Sequence, residues 1–564
     1  MILQALNGYY DRLKEDTESD IPLHGFSRQK INFALLLNRD GKLLQILDLR
    51  VTKDKKLLAK QIIVPEPFKR TVGIAPKFLW DNTGYVLGAD AKENSDRAIK
   101  MFAEFKKFHH SMGDGFNDEG MVAILSFLDS WKPDDAGSLE RWDELAGSNV
   151  IFQLDGELGY IHEHPPLQSL WLKRLDATAS DVVATCLVSG ERASVARLHP
   201  DIKGVKGAQA KGASIISFNL DAFLSYGKTQ NYNAPVGESS AFAYTTVLNH
   251  LLRSDSRQKV FIGDTTTVFW AERASPVEGF LGFVFDPRDD GGDHKEVRLF
   301  LEAAREGKRP PSIDPDINFY VLGLSPNASR LSVRFWNVST VGDVAERIGL
   351  HFADLSIVKT FDTDPDYPGM WQLLRETALQ HDSKNIAPLL AGAVMRSILT
   401  GVAYPQSLLS AIINRIRSDQ TINYLRAAII KACLTRKNRI NNTPTEVNMT
   451  LDNQLTNTAY RLGRLFAALE KAQKDAVPGA NTTIRDRYAG SASATPRTVF
   501  PQLLRLAQHH IQKSDYGRNT DKLVEEIMEG ISEFPAHLSL DDQGMFWIGY
   551  YHQRQAFYTK ATAE

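Results

Sequence analysis

Cysteine is nearly absent: the chain has two in 564 residues. Cys186 and Cys433 lie far apart, in the apolar settings VVATCLVS and AIIKACLTR. Two buried thiols are expected, and neither a disulfide framework nor a thiolate metal site is supported. No stretch approaches the ~20 consecutive apolar residues that span a bilayer. The start, MILQALNGYYDRLKED, lacks the basic opening, apolar core and small-residue cleavage site of a signal peptide, so a cytoplasmic protein without membrane association is expected. An excess of one charge is also missing. Lys plus Arg total 66 against 68 Asp plus Glu, a formal net charge of -2. That balance excludes a generic polycation that coats nucleic acid, so any such surface must be local. With 43% hydrophobic and 24% charged residues, the composition is that of a folded chain, and its length suits about three domains or two large ones.

Catalytic signatures are also lacking. Gly227-Lys228-Thr229 imitates the end of a phosphate-binding loop, but the upstream glycine position holds Ala222. Asp362, Asp364 and Asp366 imitate a calcium loop, but its sixth position is Tyr367 and its twelfth Leu373. His162-Glu163-His164, with His199 as a third ligand, would be a metal site only if the strand geometry allowed it; a polar loop before Pro165-Pro166 is the plainer reading. His109-His110 with Asp114 suggests a metal-dependent nuclease, yet the further ligands cannot be placed. No nucleophile-elbow pattern accompanies a Ser/His/Asp set. No metal and no cofactor is expected, and the chain reads as a binding protein.

Periodicity divides the chain. Ile2, Leu3, Leu6, Tyr9, Tyr10 and Leu13 predict an opening helix. INFALLLNRDGKLLQILDL predicts two strands joined at Asn38–Gly41, where Asp-Gly is a hairpin signal. NVIFQLDG, DVVATCLVSG, SIISFNL, TTTVFWA, INFYVLGLS and SRLSVRFWN are further strand candidates, rich in β-branched and aromatic residues. Helices are expected around Arg97–His109 and Ser240–Leu252. Residues 1–345 therefore read as a mixed α/β region. A connector follows at 346–371, then a helical region at 372–448 and a helical bundle at 449–564, giving an α+β fold class. Apolar stripes (Ile386, Leu389, Leu390, Val394, Ile398; Leu462, Leu465, Phe466, Leu469; Leu503, Leu504, Ile511; Leu523, Val524, Ile527, Met528, Ile531) require partner helices. Arg436–Asn448 reads as a linker.

Three constellations point to nucleic acid. Between residues 42 and 77 nine basic residues face three acidic ones, and the stretch contains the loop Phe68–Ile74 with Lys69, Arg70, Thr71 and Gly73. Lysine and arginine neutralise phosphates, and arginine can fork onto a guanine edge. In Asp201–Ser214 glycines alternate with Lys203, Lys206 and Lys211, so backbone N–H groups and lysines could line a polyanion, with Gln209 within reach of a base edge. In the C-terminal bundle Arg461 and Arg464 sit opposite the leucine stripe; Arg485, Arg487, Tyr488, Arg497 and Arg505 continue the basic character. An aromatic finish, Tyr550 to Tyr558, suits single-strand stacking. Each constellation is also compatible with an ordinary solvated face.

Several long segments in order resemble the large subunit of subtype I-C (Dvulg) CRISPR interference complexes: MILQALNGYYDRL, FLWDNTGYVLGADAK, HPDIKGVKGAQAKGASIISFNLDAFLSYGK, AFAYTTVLNHLL, VLGLSPNASRLSVRFW, YRLGRLFAALEKAQ, TIRDRYAGSASATPRTVFPQLLRLAQHH and GYYHQRQAFYTK. The resemblance implies a non-catalytic subunit that joins a crRNA-containing complex, with its backbone and 5′-end subunits. It implies recognition of a TTC-like PAM in double-stranded target DNA, help with strand separation, and docking of the helicase-nuclease. Guide pairing then supplies most of the specificity. Carried onto this chain, Lys69, Arg70, Thr71 and Gly73, with Lys77 and Asn82, become PAM-proximal candidates. Val72 is apolar where a polar base reader would be useful, which favours Thr71 or Asn82. Lys203, Lys206, Gln209 and Lys211 become duplex or strand-separation candidates, and Arg461, Arg464, Arg485 and Arg487 displaced-strand candidates. The family also implies a helical small subunit from an internal start, for which Met449 is the candidate, and such a surface admits phage inhibitor proteins as partners. The alternatives are a metal-dependent nuclease built on His162 and His164, and a scaffold subunit that never touches DNA.

Overall fold

The computed structural model describes the whole chain apart from residues 17–18, 54–55, 68–72, 91–94, 178–179, 263–264, 286–298, 300–301, 304–313, 444–446 and 559–564. The fold is a mixed α/β N-terminal region followed by a C-terminal helical bundle. It resolves into two compact units: Leu3–Pro200 with Ile216–Leu248, and Asp201–Ile215 with Asn249–Glu564.

The first unit opens on the helix Ile2–Glu15, which buries Leu6, Tyr9, Tyr10 and Leu13. The expected hairpin forms from Phe33–Leu37 and Leu43–Asp48. At its turn the Asn38 Oδ1 accepts from the N–H groups of Asp40 (3.1 Å) and Lys42 (2.7 Å), and Gly41 takes a φ of 81°. The sheet order is 43–48, 33–37, 149–154, 80–82. Strands Phe33–Leu37 and Asn149–Leu154 run parallel. A parallel pair needs a long crossover, and here it includes the helices Ser95–Gly113 and Glu119–Ser130. Those helices pack Phe105, Ile124, Phe127 and Leu128 with Phe33, Leu35, Leu37 and Phe152 of the sheet. Cys186 is buried here, as Cys433 is in the second unit.

The second unit is built on a four-stranded antiparallel meander: Lys259–Ile262, Thr265–Ala271, Asn318–Asn327 and Arg330–Thr340. Alternation puts Val260, Phe269, Phe319 and Val321 on one face, where they share a core with the helices Val277–Phe285 and Val341–Leu355. The same core continues through the helices Pro388–Thr400, Gln406–Asp419, Tyr424–Ile440, Thr458–Ala476, Pro496–Lys513 and Leu540–Tyr558. No helix among the described residues is long and apolar enough to cross a membrane.

Three local expectations need correction. SIISFNL forms no strand; only isolated bridges at Ala213 and Ser214 occur there, because Ser214 pairs with Arg330 at the end of the meander. Leu389 is 90% exposed: the helix begins at Pro388, so the buried row is Leu390, Val394 and Ile398. The stretch taken as a linker from Arg436 is helical to Ile440, and Arg436 itself is buried, paired with Asp354.

Candidate nucleic-acid interface

The loop Asp201–Ser214 starts from an internal clasp. Ile202 and Ala213 exchange both backbone hydrogen bonds, each at 2.9 Å. Ile202 and Val205 are buried and hold the loop down. Ser214 and Leu331 then join it to the meander through a 2.9 Å bond, which brings Arg330 beside it. With the apolar residues anchored, Lys203, Lys206, Gln209 and Lys211 are left exposed. The Lys206 ammonium lies 5.6 Å from the centre of the Phe261 ring, a cation–π contact that orients it without neutralising it.

The glycines of this loop serve packing. Gly204 has a φ of 90°, and a Cβ there would come within 2.5 Å of the Leu252 carbonyl oxygen. Gly212 has a φ of 112°, and its Cβ would meet the Asp201 Cβ at 2.7 Å. Backbone donors are also taken up internally. The Lys203 N–H donates to Asn249 Oδ1 (2.7 Å), the Lys206 N–H to Thr266 Oγ1 (3.0 Å), and the Gly212 N–H to the Gln209 carbonyl (2.9 Å). The sequence suggested that backbone N–H groups would face a polyanion. In the structure these donors rigidify the loop, and the lysine side chains carry its charge outward.

Lys69, Arg70 and Thr71 lie outside the described residues. Gly73 follows them, exposed, at a φ of 94° with open space where a Cβ would stand. Lys77 is engaged: its ammonium is 3.3 Å from the buried Asp81 carboxylate and 3.7 Å from the Trp80 ring centre, leaving the side chain 14% exposed. Asn82 ends the strand Trp80–Asn82, and its Oδ1 is buried with no hydrogen-bond donor among the described residues.

The bundle arginines divide by depth. Arg464 is an internal residue, its side chain 3% exposed and its Nε donating to Gln553 Oε1 at 3.0 Å. Burial pushes its pKa down, against the charges of Tyr460 and Glu526. A displaced strand cannot reach it there, because the leucine stripe is wider than its period suggested: Leu462, Leu465, Phe466 and Leu469 are joined in the core by Tyr460, Ala467 and Ala468. Arg461 is half-buried, donating to the Leu455 carbonyl (2.9 Å) and lying against Gly530, where a Cβ would meet its guanidinium. Arg485 is half-buried beside Glu470 and Asp486, and Arg487 is exposed.

A longer row of basic side chains lies on the next helix. Pro496–Lys513 contains no Asp or Glu. Arg497, Arg505, His509 and Lys513 are all exposed. Arg505, His509 and Lys513 follow one another at four residues, which keeps neighbours on one side of the helix over roughly 12 Å, and Arg497 lies about two turns before them. The four-residue spacing in an acid-free helix was the signal available in the sequence; Arg497 and Arg505 were noted there only as continuing the basic character.

The histidine pairs are divided between separate hydrogen-bonded settings. His162 is buried with its Nε2 3.0 Å from the Ile63 carbonyl, whereas His164 is held between Asp118 (3.0 Å) and Glu157 (2.9 Å). His109 is buried beside Phe105, and its Nε2 accepts from the Leu79 N–H at 2.9 Å. His110 sits between Asp114 (2.8 Å) and Asp129 (3.0 Å). Among the described residues, no group of three or more His, Cys, Asp or Glu is placed to hold a metal ion.

A family model described as CRISPR-associated protein (Cas_Csd1) matches residues 6–558. No curated protein matches the chain.

Proposed function

The chain belongs to the Cas_Csd1 family of CRISPR-associated proteins, the large subunit of the type I-C Cascade, and from that premise we propose that it grips target duplex DNA without cutting it. Lys203, Lys206 and Lys211 neutralise phosphates, and Gln209 reaches toward a base edge or sugar. The observation that carries this reading is the loop's division of labour. Ile202, Val205 and the backbone N–H groups of Lys203, Lys206 and Gly212 are spent on anchoring, and its exposed polar side chains are cationic or amide. A rigid loop loses little entropy on binding.

In the same reading, Lys69 to Gly73 and Asn82 lie next to the PAM. Lys77 contributes through its hold on Asp81, which keeps the Trp80–Asn82 strand in place. The row Arg497, Arg505, His509 and Lys513, with Arg487, tracks the displaced strand, and Arg461 and Arg485 support its helices. PAM recognition, unwinding, R-loop formation and recruitment of the helicase-nuclease follow as the roles of this subunit, within a cytoplasmic complex that carries crRNA, the backbone subunits and the 5′-end subunit. Phage inhibitors that mimic DNA would compete for the same lysines.

The segment from Met449 is the proposed small subunit. In the full chain the last helix, Leu540–Tyr558, packs on preceding helices: Gly544 lies against Ile430 and Leu434, Arg417 donates to Gln543 Oε1 at 2.7 Å, and Lys437 pairs with Asp541. A separate product would expose that face for assembly. Intact mass of a co-purified small band checks the start: a mass other than that of 449–564 rejects Met449.

The experiment for the main reading uses the complex reconstituted with guide RNA. Lys203→Ala, Lys206→Ala and Lys211→Ala together should leave assembly intact and weaken binding of PAM-bearing duplex. An assembled variant complex with unchanged affinity would make the chain a scaffold.

A further inference from the structure

The run from Asn219 to Thr229 is exposed throughout, and its outermost point is Tyr226, 96% accessible. The turn beneath it is closed by a bridge between Ser225 and Lys228, with the Lys228 N–H donating to the Ser225 carbonyl at 2.9 Å. Its two central residues, Tyr226 and Gly227, have φ of 50° and 69°. Positive φ at both is the mark of a type I′ turn, whose preferred first residue is Asn, Asp or Gly. A tyrosine there is conformationally disfavoured, and it has no packing to compensate.

The turn is nevertheless fixed from below. Asn233 accepts from the Ser225 N–H (3.0 Å) and donates to the carbonyls of Lys228 (3.0 Å) and Gln230 (2.9 Å). Beside it lies an open hollow of about 270 Å³ with Val182, Val195 and Pro235 on its walls and Lys228 and Thr229 at its rim. A strained residue held by its surroundings points to a function outside the fold.

We propose that the Tyr226–Gly227–Lys228 turn is a stacking site for an unpaired nucleobase, with Lys228 taking the adjoining phosphate. The proposal rests on the nucleic-acid reading above and adds a site to it. A free aromatic ring stacks on any base, and a neighbouring cation adds backbone contact. Leu220, Phe223 and Leu224 of the same run are exposed as well, so a docked protein is the competing occupant that the test separates.

The test compares Tyr226→Asn, which keeps the turn and removes the ring, with Tyr226→Trp, which keeps a ring. Both are assembled into the complex with guide RNA. One arm carries 5-iodouracil in the guide, the other in a guide-matched target duplex. The wild-type chain should photocross-link at Tyr226 in one arm, which identifies the source of the base. Tyr226→Asn should weaken binding of that nucleic acid about fivefold or more, while its melting temperature stays equal or rises. Tyr226→Trp should bind like wild type. The proposal is overturned if Tyr226→Asn binds both nucleic acids as tightly as wild type and no cross-link maps to Tyr226. It is equally overturned if the variant loosens only its association with protein subunits. A wild-type complex that binds no target DNA would instead remove the functional reading on which the proposal rests.

Discussion

Arg436 and Asp354 form an ion pair in which neither side chain reaches solvent: the guanidinium Nε donates to the carboxylate at 2.8 Å, with exposures of 0% and 1%. Arg439 adds a 2.7 Å contact to the same carboxylate, and the Lys431 ammonium donates to the Asp354 carbonyl at 3.2 Å. The pair joins the helix Val341–Leu355, which follows the meander, to the helix Tyr424–Ile440, which leads into the bundle. Removing one partner leaves the other buried and uncompensated. Asp354→Ala should therefore cost about 3–5 kcal/mol of stability, read as a lower denaturation midpoint of the full chain.

Acid should destabilise the protein well before its carboxylates titrate. Burial pushes the imidazoles of His109, His162, His199 and His552 down to about 4, and that of His351 to about 3 with help from the Arg436 charge. Their contribution is complete above the unfolded value of 6.5 and is lost as pH falls toward 4, because the unfolded chain takes up protons that the folded one refuses. His110 and His164 act in the opposite sense. His110 is raised chiefly by its bond to Asp114. His164 is opposed by burial, but Asp118 and then Glu157 outweigh it and its pKa is raised. The depressed group is the larger, so melting temperature should fall between pH 6.5 and 4.5. His199→Phe should flatten that fall.

Gly204 is a position where a side chain cannot be added. At φ 90°, with the Leu252 carbonyl oxygen 2.5 Å from the Cβ position, Gly204→Ala should cost about 1–3 kcal/mol. Hydrogen exchange should speed up at the Lys203 and Lys206 amides, which are bonded to Asn249 and Thr266.

Arg464 and Arg505 should separate structure from binding. Arg464→Ala removes the donor to the buried Gln553 and should destabilise the chain by about 1–3 kcal/mol. Arg505→Ala, at an exposed position, should change stability by less than about 0.5 kcal/mol. It should weaken binding of single-stranded DNA by the assembled complex, measured by fluorescence anisotropy.

Elements with strong periodicity were legible from the sequence. The hairpin at Asn38–Gly41, the helix carrying Leu462 to Leu469 and the three strands TTTVFWA, INFYVLGLS and SRLSVRFWN all occur. The parallel pairing of Phe33–Leu37 with Asn149–Leu154 was not, since it joins segments more than a hundred residues apart and no local pattern encodes it. Depth was the other loss. A 3.6-residue period finds the apolar side of a helix but not its width, so Arg464 looked like a surface residue. The glycines at 204 and 212 were recognised as special for backbone reasons, but their neighbours, Leu252 and Asp201, are visible only in three dimensions.

The most direct measurement is the salt dependence of duplex binding by the guide-loaded complex, with and without Lys203→Ala, Lys206→Ala and Lys211→Ala. If each lysine holds one phosphate, the slope of log affinity against log salt should shrink by about 0.9 per lysine, or roughly 2.7 for all three. An unchanged slope in a complex that still assembles would contradict the account.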